Sequence, residues 1–119
     1  MPKREIPREN WMSFFNEFNN NHREQIVKIE ITDDEDYRVD YAESLPFQGV
    51  EITSVDEGNT SVTVSAGASS SFTHVIDDAK SVILEEHEDH SPKALQVKSS
   101  LGRSAIVRFH PVSPDENVR

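Results

Sequence analysis

The amino-acid sequence predicts an α+β domain, in which one N-terminal amphipathic helix packs on a curved antiparallel sheet of about eight strands. Two observations lead to this fold class. Large aromatic residues recur at helical spacing in one stretch near the N-terminus. After Gln25, apolar residues alternate with polar ones in short runs that Gly, Pro, Asn and Asp separate. A sheet of this many strands rarely stays flat, so we expect a barrel-like or two-layer form.

The helix is predicted from four aromatic residues that share one face. The spacing of these residues is i, i+3, i+4 and i+7, which places them on one side of a helix: Trp11, Phe14, Phe15 and Phe18. Pro7 suits the first turn, because the N–H that proline lacks has no partner there. The asparagine run at residues 19–21 predicts the end of the helix, since Asn tolerates the left-handed conformation that closes a last turn. We expect the aromatic face to cover the protein's own core, and the charged arm at residues 1–5 to fray.

Eight short apolar or alternating runs follow the helix, and each predicts a strand. The runs are residues 27–32, 37–41, 50–55, 61–66, 72–76, 82–84, 94–97 and 105–109. All four glycines, which are Gly49, Gly58, Gly67 and Gly102, fall between these runs. Strands joined by tight turns usually pair with their sequence neighbours, so we expect a meander. This domain covers residues 1–110, and residues 111–119 are predicted to form a flexible tail.

The composition is strongly acidic. The chain of 119 residues has 12 Lys and Arg against 22 Asp and Glu, a formal net charge of −10. Phosphate backbones and anionic membrane surfaces repel such a chain, so we expect neither nucleic acid nor membranes as partners. Cationic partners, metal ions or solubility alone remain as uses of the charge. The lack of cysteine excludes disulfides and thiolate chemistry, and the lack of a signal peptide or a membrane-spanning apolar run favours a cytoplasmic location.

One cluster contains the side chains of a metal site. His87, Glu88 and His90 belong to a run of four carboxylates and two histidines, and such side chains bind zinc, nickel or manganese. The run falls at a strand end and turn, where nothing in the sequence determines the ligand geometry. A third histidine, His74 or His110, would have to approach in space. The alternative interpretation, which we favour, is a charged and solvated turn.

Acidic turns form a second charge pattern. In a meander every second turn lies at the same end, so the turns at residues 33–36, 56–57 and 77–78 would cluster there. Such an end would attract a calcium ion or a basic partner. It would also discourage edge-to-edge aggregation of a sheet protein, which is the interpretation that we favour.

A cationic pair, His22-Arg23, follows the helix. Cations at this position stabilise the helix dipole; the alternative is an anion contact that they share with Arg108. The sequence contains no Gly-x-Ser-x-Gly nucleophile motif and no glycine-rich phosphate loop. Nothing in it therefore identifies a catalytic residue.

A pattern of packing residues extends over most of the chain. It consists of Ile6-Pro7-Arg8-Glu9-Asn10-Trp11, Phe14-Phe15, Phe18, His22-Arg23, Val27-Lys28-Ile29-Glu30, Leu45-Pro46-Phe47-Gln48-Gly49-Val50 and Arg108-Phe109. In this pattern the chain resembles a small bacterial single-domain family of unknown function, up to about His110. The resemblance implies a stand-alone helix-plus-meander domain or module. It implies no catalytic residue, because the family has none assigned.

Together these observations favour a small, acidic, soluble protein that acts as a non-catalytic binding or accessory module. We expect no cofactor, and a protein partner whose identity the sequence does not reveal. The alternative is a metal-binding protein or a small metal-dependent enzyme that uses His87 and His90. A sheet that fails to close leaves edges that can pair across a two-fold axis, so we expect a monomer or a homodimer.

Overall fold

The computed structural model describes residues 3–33, 38–56, 59–68 and 71–110, without the side chains of residues 38–43 and 54–56. Within these residues the chain forms one α-helix, one 3₁₀ turn and eight strands. The helix α1 is Trp11–His22, and the 3₁₀ turn before it is Arg8–Asn10. The strands are β1 (Lys3–Glu5), β2 (Ile26–Thr32), β3 (Arg38–Asp56), β4 (Asn59–Ala66), β5 (Phe72–Ile76), β6 (Ala79–Glu86), β7 (Pro92–Ser99) and β8 (Ser104–Phe109). The predicted α+β class is confirmed.

The eight strands form one antiparallel sheet in the order β1-β6-β7-β8-β2-β3-β4-β5. The predicted meander is present in two parts, β2 to β5 and β6 to β8. Between these parts β5 and β6 do not pair; β8 returns to β2 instead, and β1 pairs with β6. Because β4 contacts β6 and β5 contacts β7, the sheet curls until its two parts face each other. Over the described strands it does not close into a barrel, since β1 and β5 remain outer strands.

One long strand replaces two predicted ones. Strand β3 contains the predicted run at residues 50–55 and, from residue 38 on, the predicted run at 37–41. The Pro and Gly residues between these runs had predicted a break there. The pairing is irregular between Phe47 and Gly49, and Gly49 has a φ of 153°. The strand therefore bends here without ending. Its first half pairs with β2 and its second half pairs with β4.

The charged N-terminal arm is a strand from Lys3 on, so the prediction that it frays is wrong. Its residues pair with β6 and are exposed. Ile6 anchors the arm, because its side chain is buried and its N–H donates to Val82 O at 2.8 Å. Three exposed charged residues have no apolar pattern, which is why the sequence did not reveal this strand.

The helix buries the aromatic face that was predicted to cover the core. Trp11, Phe15 and Phe18 are buried, and Phe14 is half-buried. The Phe18 ring meets the Phe109 ring edge-on with centroids 5.6 Å apart. Truncation of such side chains to alanine costs about 3–5 kcal/mol each, so this face attaches α1 firmly to the sheet. No described helix has the length and apolar content needed to cross a lipid bilayer.

Arg8 fixes the N-terminal end of α1 on the sheet. Its guanidinium donates hydrogen bonds to Thr60 Oγ1 and to Ala79 O, each over 2.9 Å. The same group lies 4.6 Å from the centroid of the Trp11 ring, a cation–π contact. The helix therefore keeps one orientation relative to β4 and β6.

The C-terminal end of α1 comes later than predicted. The helix continues through the asparagine run to His22, and the left-handed residue that follows is Glu24, with a φ of 75°. Asn19 thus lies inside the helix and is only 5% exposed. A buried carboxamide needs hydrogen-bond partners, and those of Asn19 are on β3.

Candidate functional site

The predicted metal ligands lie in the turn between β6 and β7. The His90 N–H donates to His87 O and the His87 N–H donates to Ser91 O, both over 2.9 Å. Glu88 and His90 are exposed and His87 is half-buried. In the described parts of the chain, no three His, Cys, Asp or Glu side chains form a group that could hold a metal ion. A site at His87, Glu88 and His90 stays a prediction.

A carboxylate of the same turn stabilises the turn itself. Asp89 Oδ1 accepts hydrogen bonds from the Ser91 N–H at 3.0 Å and from the Ser91 hydroxyl at 2.6 Å. These bonds favour the ionised carboxylate and hold the pKa of Asp89 below its usual value. This member of the acidic run has a structural role.

Serine hydroxyls contact the acidic turn formed by Asp77 and Asp78. Ser99 Oγ donates to Asp77 O at 2.7 Å, and Ser100 Oγ bonds to Asp78 Oδ2. The loop that carries these serines therefore lies beside the turn. Most of the other two acidic turns lies outside the described residues. One of them precedes β3 and the other follows it, so this single long strand separates them, and the prediction that all three turns cluster at one end is wrong.

A cleft between α1 and the β6–β7 turn brings together His22 and His90. Its volume is about 330 Å³, and Arg4, Glu17 and Glu86 also line it. Arg4 Nε lies 3.9 Å from Glu86 Oε1, a loose ion pair with an exposed arginine. Such a pair contributes at most about 1 kcal/mol. The cleft has titratable groups of both signs, but its charges partly neutralise one another.

The imidazole of His22 packs among aromatic rings. Its centroid lies 4.6 Å from that of Phe18 and 5.8 Å from that of Phe109. Nδ1 is buried and accepts or donates no hydrogen bond within the described residues. Burial lowers the pKa of His22, and a side-chain hydrogen bond with Gln25 opposes this shift only in part. Burial therefore opposes the cationic form of the ring, which the predicted role as a cation at the helix end requires.

The anion contact predicted for His22, Arg23 and Arg108 is not assembled. Arg108 Nε donates to Glu30 Oε1 at 3.1 Å. Arg23 Nε donates to Gln48 O at the same distance. The two guanidinium groups thus have separate partners on β2 and β3.

A larger concave surface, the α1–β3 groove, lies between α1 and the second half of β3. Its volume is about 610 Å³. Its lining residues are Met12, Phe15, Asn16, Asn19, Asn20, Arg23, Val50, Glu51 and Ile52. Met12 is 63% exposed, which is high for a large apolar side chain. The exposed amides of Asn16 and Asn20 make no hydrogen bond to the described residues.

The floor of the α1–β3 groove is one edge of β3. Residues of α1 and of the loop after it form hydrogen bonds with successive main-chain groups along this edge. At the bend, the Phe47 N–H donates to Gln25 O and the Glu24 N–H donates to Phe47 O, both over 2.7 Å. One residue later the partner is a side chain, because Arg23 donates to Gln48 O. Main-chain pairing therefore gives way to side-chain pairing along this edge.

Asn19 continues the series at Val50. Its Nδ2 donates to Val50 O and its Oδ1 accepts from the Val50 N–H, each over 2.9 Å. Gly49 makes room for this contact, since a Cβ there would lie 3.2 Å from Asn19 Cγ. Main-chain groups alternate between the two edges of a strand, so the N–H and C=O of Ile52 face the same edge as those of Val50. Of the described elements, β2 pairs with β3 only as far as Pro46, and no loop or side-chain hydrogen bond reaches the main chain of Ile52 on this edge.

Sequence reasoning missed Asn19 by assigning it to the helix end. Its spacing contained the relevant information, because Asn19 is four residues after Phe15 and eight after Trp11. This spacing places the carboxamide on the buried face of the helix. A polar side chain on that face must bond to something in the sheet, although spacing alone does not reveal which strand.

Comparison with known proteins gives a family without an assigned activity. The model of a family of unknown function, DUF5335, matches residues 2–117. The match confirms the resemblance to a family of unknown function, and it extends past His110. No curated protein and no solved structure matches the chain.

Proposed function

We propose that this chain, which belongs to the DUF5335 family of unknown function, is a non-catalytic binding module that holds a basic segment of a partner protein in the α1–β3 groove. One observation carries the proposal. Among the described residues, the edge of β3 is occupied as far as Val50 and has no partner at Ile52, inside a groove of about 610 Å³. Ligand pockets typically have volumes of about 300–1,000 Å³.

The side chains around the open edge suit binding rather than chemistry. Met12 offers an exposed thioether that adapts to an apolar partner side chain. Asn16 and Asn20 offer amide donors and acceptors that the described chain does not use. Glu51 is exposed at the rim. This combination of an apolar contact and polar groups that fix orientation is typical of a recognition site.

The charge of the whole molecule supports a basic partner. With a formal net charge of −10, the protein attracts cationic segments at long range and repels anionic ones. Such attraction mainly raises the association rate and weakens as salt is added. Within the groove the charges of Arg23 and Glu51 are opposite, so selectivity for a basic segment comes from the overall field.

The experiment selects peptides from a random display library on the wild-type protein and on two variants. Asn16→Trp fills the groove from an exposed helix position, and such a surface change alters stability by no more than about 0.5 kcal/mol. Asn21→Trp is the matched control, since it makes the same change on the same helix but lines the His22 cleft instead.

We expect peptides rich in Lys and Arg whose binding Asn16→Trp weakens at least about tenfold, which corresponds to roughly 1.4 kcal/mol. Asn21→Trp should leave their affinity within about twofold. If the peptides bind the wild type and Asn16→Trp with equal affinity, they do not bind in the α1–β3 groove, and this part of the proposal is wrong. Enrichment of acidic peptides would refute the basic partner.

A further inference from the structure

We infer that the occupant of the α1–β3 groove is an extended segment that adds to the sheet as a strand beside Ile52. The inference rests on the proposed function and specifies its binding mode. In this mode main-chain hydrogen bonds to a strand edge contribute affinity, and side-chain contacts determine which segment binds.

Asn19 shows which chemistry this edge accepts. A carboxamide has the same N–H donor and C=O acceptor as a peptide group. Asn19 presents both to Val50 over 2.9 Å, so it occupies the place of a residue in a neighbouring strand. The next main-chain groups that face this edge are those of Ile52, and an incoming peptide group would make the equivalent pair of bonds there.

The direction of the helix leaves room for a segment at this position. Contacts run from Arg23 at Gln48 to Asn19 at Val50, so α1 is antiparallel to the second half of β3. Asn16, three residues before Asn19, lies about 4.5 Å along the helix. Ile52 lies about 6.6 Å along the strand from Val50. Asn16 therefore stands near the level of Ile52, where it reaches no described partner.

The same geometry limits what can bind. Asn19 blocks the edge at Val50, so an added strand can extend only from Ile52 toward the end of β3, and it must follow the irregularity in the pairing of β3 with β4 between Ile52 and Ser54. Helix α1 covers one side of this short opening, which hinders a long sheet edge of another molecule from docking. The charge of −10 on each copy also opposes a second copy of the chain. A short basic segment of a different protein meets these conditions.

The probe is the peptide Lys-Val-Lys-Val-Lys-Val-Lys-Val, in which one face of an extended chain is basic and the other apolar. Two isomers carry N-methyl groups, one on every valine and the other on every lysine. Because successive N–H groups of a strand point to opposite edges, each isomer blocks hydrogen bonding along one edge only. Affinity is measured for the full-length wild type and Asn16→Trp, and amide hydrogen exchange is followed at Ile52 and Val50.

We expect the parent peptide to bind the wild type and to bind Asn16→Trp more weakly. One N-methylated isomer should bind the wild type at least about tenfold more weakly than the parent peptide, and the affinity of the other should stay within about twofold of it. Saturating peptide should slow exchange of the Ile52 N–H and leave that of Val50, which already bonds to Asn19, unchanged. Strand addition would be overturned if the parent peptide binds in the groove, both isomers either keep or lose this binding, and the hydrogen-exchange rate of the Ile52 N–H does not change. This result would leave the proposed function intact.

Two further results would also overturn the inference. If the probe shows no Asn16→Trp-sensitive binding up to about 1 mM, the groove does not take an extended basic strand. The display selection tests the proposed function separately, because it makes no assumption about the conformation of the bound peptide. If it yields no groove-binding peptide, the proposed function itself fails. If exchange at Ile52 slows with protein concentration alone, as dimers form, the occupant is a second copy of the chain.

Discussion

Replacing Asn19 with alanine tests the contact that organises the groove. The substitution leaves the N–H and C=O of Val50 without their partner, and Val50 is fully buried. Each unsatisfied buried group costs about 1–3 kcal/mol, which gives roughly 2–6 kcal/mol for the pair. Alanine favours the helix by up to about 0.7 kcal/mol over asparagine. Water that enters from the open groove would reduce the loss, so we expect a destabilisation of about 2–4 kcal/mol.

Urea unfolding followed by the fluorescence of Trp11 measures this loss. Trp11 is the only tryptophan and is 1% exposed, so its emission reports the loss of the core. The matched control is Asn20→Ala, which removes a neighbouring exposed amide that has no hydrogen bond to the described residues. The control should change the free energy of unfolding by less than about 0.5 kcal/mol. Equal effects of the two substitutions, or a loss below about 1 kcal/mol for Asn19→Ala, would refute the role assigned to Asn19.

Three other predictions concern positions around this contact and the metal hypothesis. Gly49→Ala places a Cβ 3.2 Å from Asn19 Cγ, so it should destabilise the protein by about 1–3 kcal/mol. The cost should be smaller in a protein that already carries Asn19→Ala, because the two side chains are in contact. Equal costs in the two backgrounds, measured by urea unfolding, would contradict this coupling. Burial lowers the folded-state pKa of His22 from its ordinary value of 6.5, so the unfolded state binds more protons as the pH falls through that value. The contribution of His22 to stability is therefore complete above about pH 6.5 and declines below it until the folded-state pKa is reached. The wild type should lose more stability than His22→Gln between about pH 7.5 and pH 5, and parallel unfolding curves would show that burial of the imidazole has no such effect. If His87 and His90 bind metal, zinc or nickel should raise the Tm of the wild type but not that of a variant with both histidines changed to alanine; a wild type without bound metal by elemental analysis, and with an unchanged Tm, would disprove the site.

Local patterns were sufficient to predict the elements of the fold. The spacing of Trp11, Phe15 and Phe18 predicted the helix and its buried face, because 3.6 residues per turn place these side chains together. Alternation along the chain predicted the strands for the corresponding reason, a period of two. The strand Lys3–Glu5 escaped prediction because it is held by hydrogen bonds to β6 and by the burial of Ile6, and neither produces a pattern within its own three residues.

Contacts between distant residues were not predictable in this way. The bend at Gly49 was interpreted as a break, since Pro and Gly usually end strands, whereas pairing with residues 24–25 and with β4 continues the strand. The return of β8 to β2 likewise depends on how the two halves of the sheet curl around one core. These features follow from the energy of the whole assembly and not from any local preference.

The sequence by itself determined the fold class, the aromatic face of α1 and the acidic charge, because each is a property of local spacing or of composition. Only the tertiary structure decided that Asn19 pairs with Val50 and that the described chain supplies no partner to this edge of β3 at Ile52. The physical reason is that a hydrogen bond needs two partners, and the partner of Asn19 lies 31 residues away. Periodicity identifies which side chains are buried, but the path of the sheet decides what they meet.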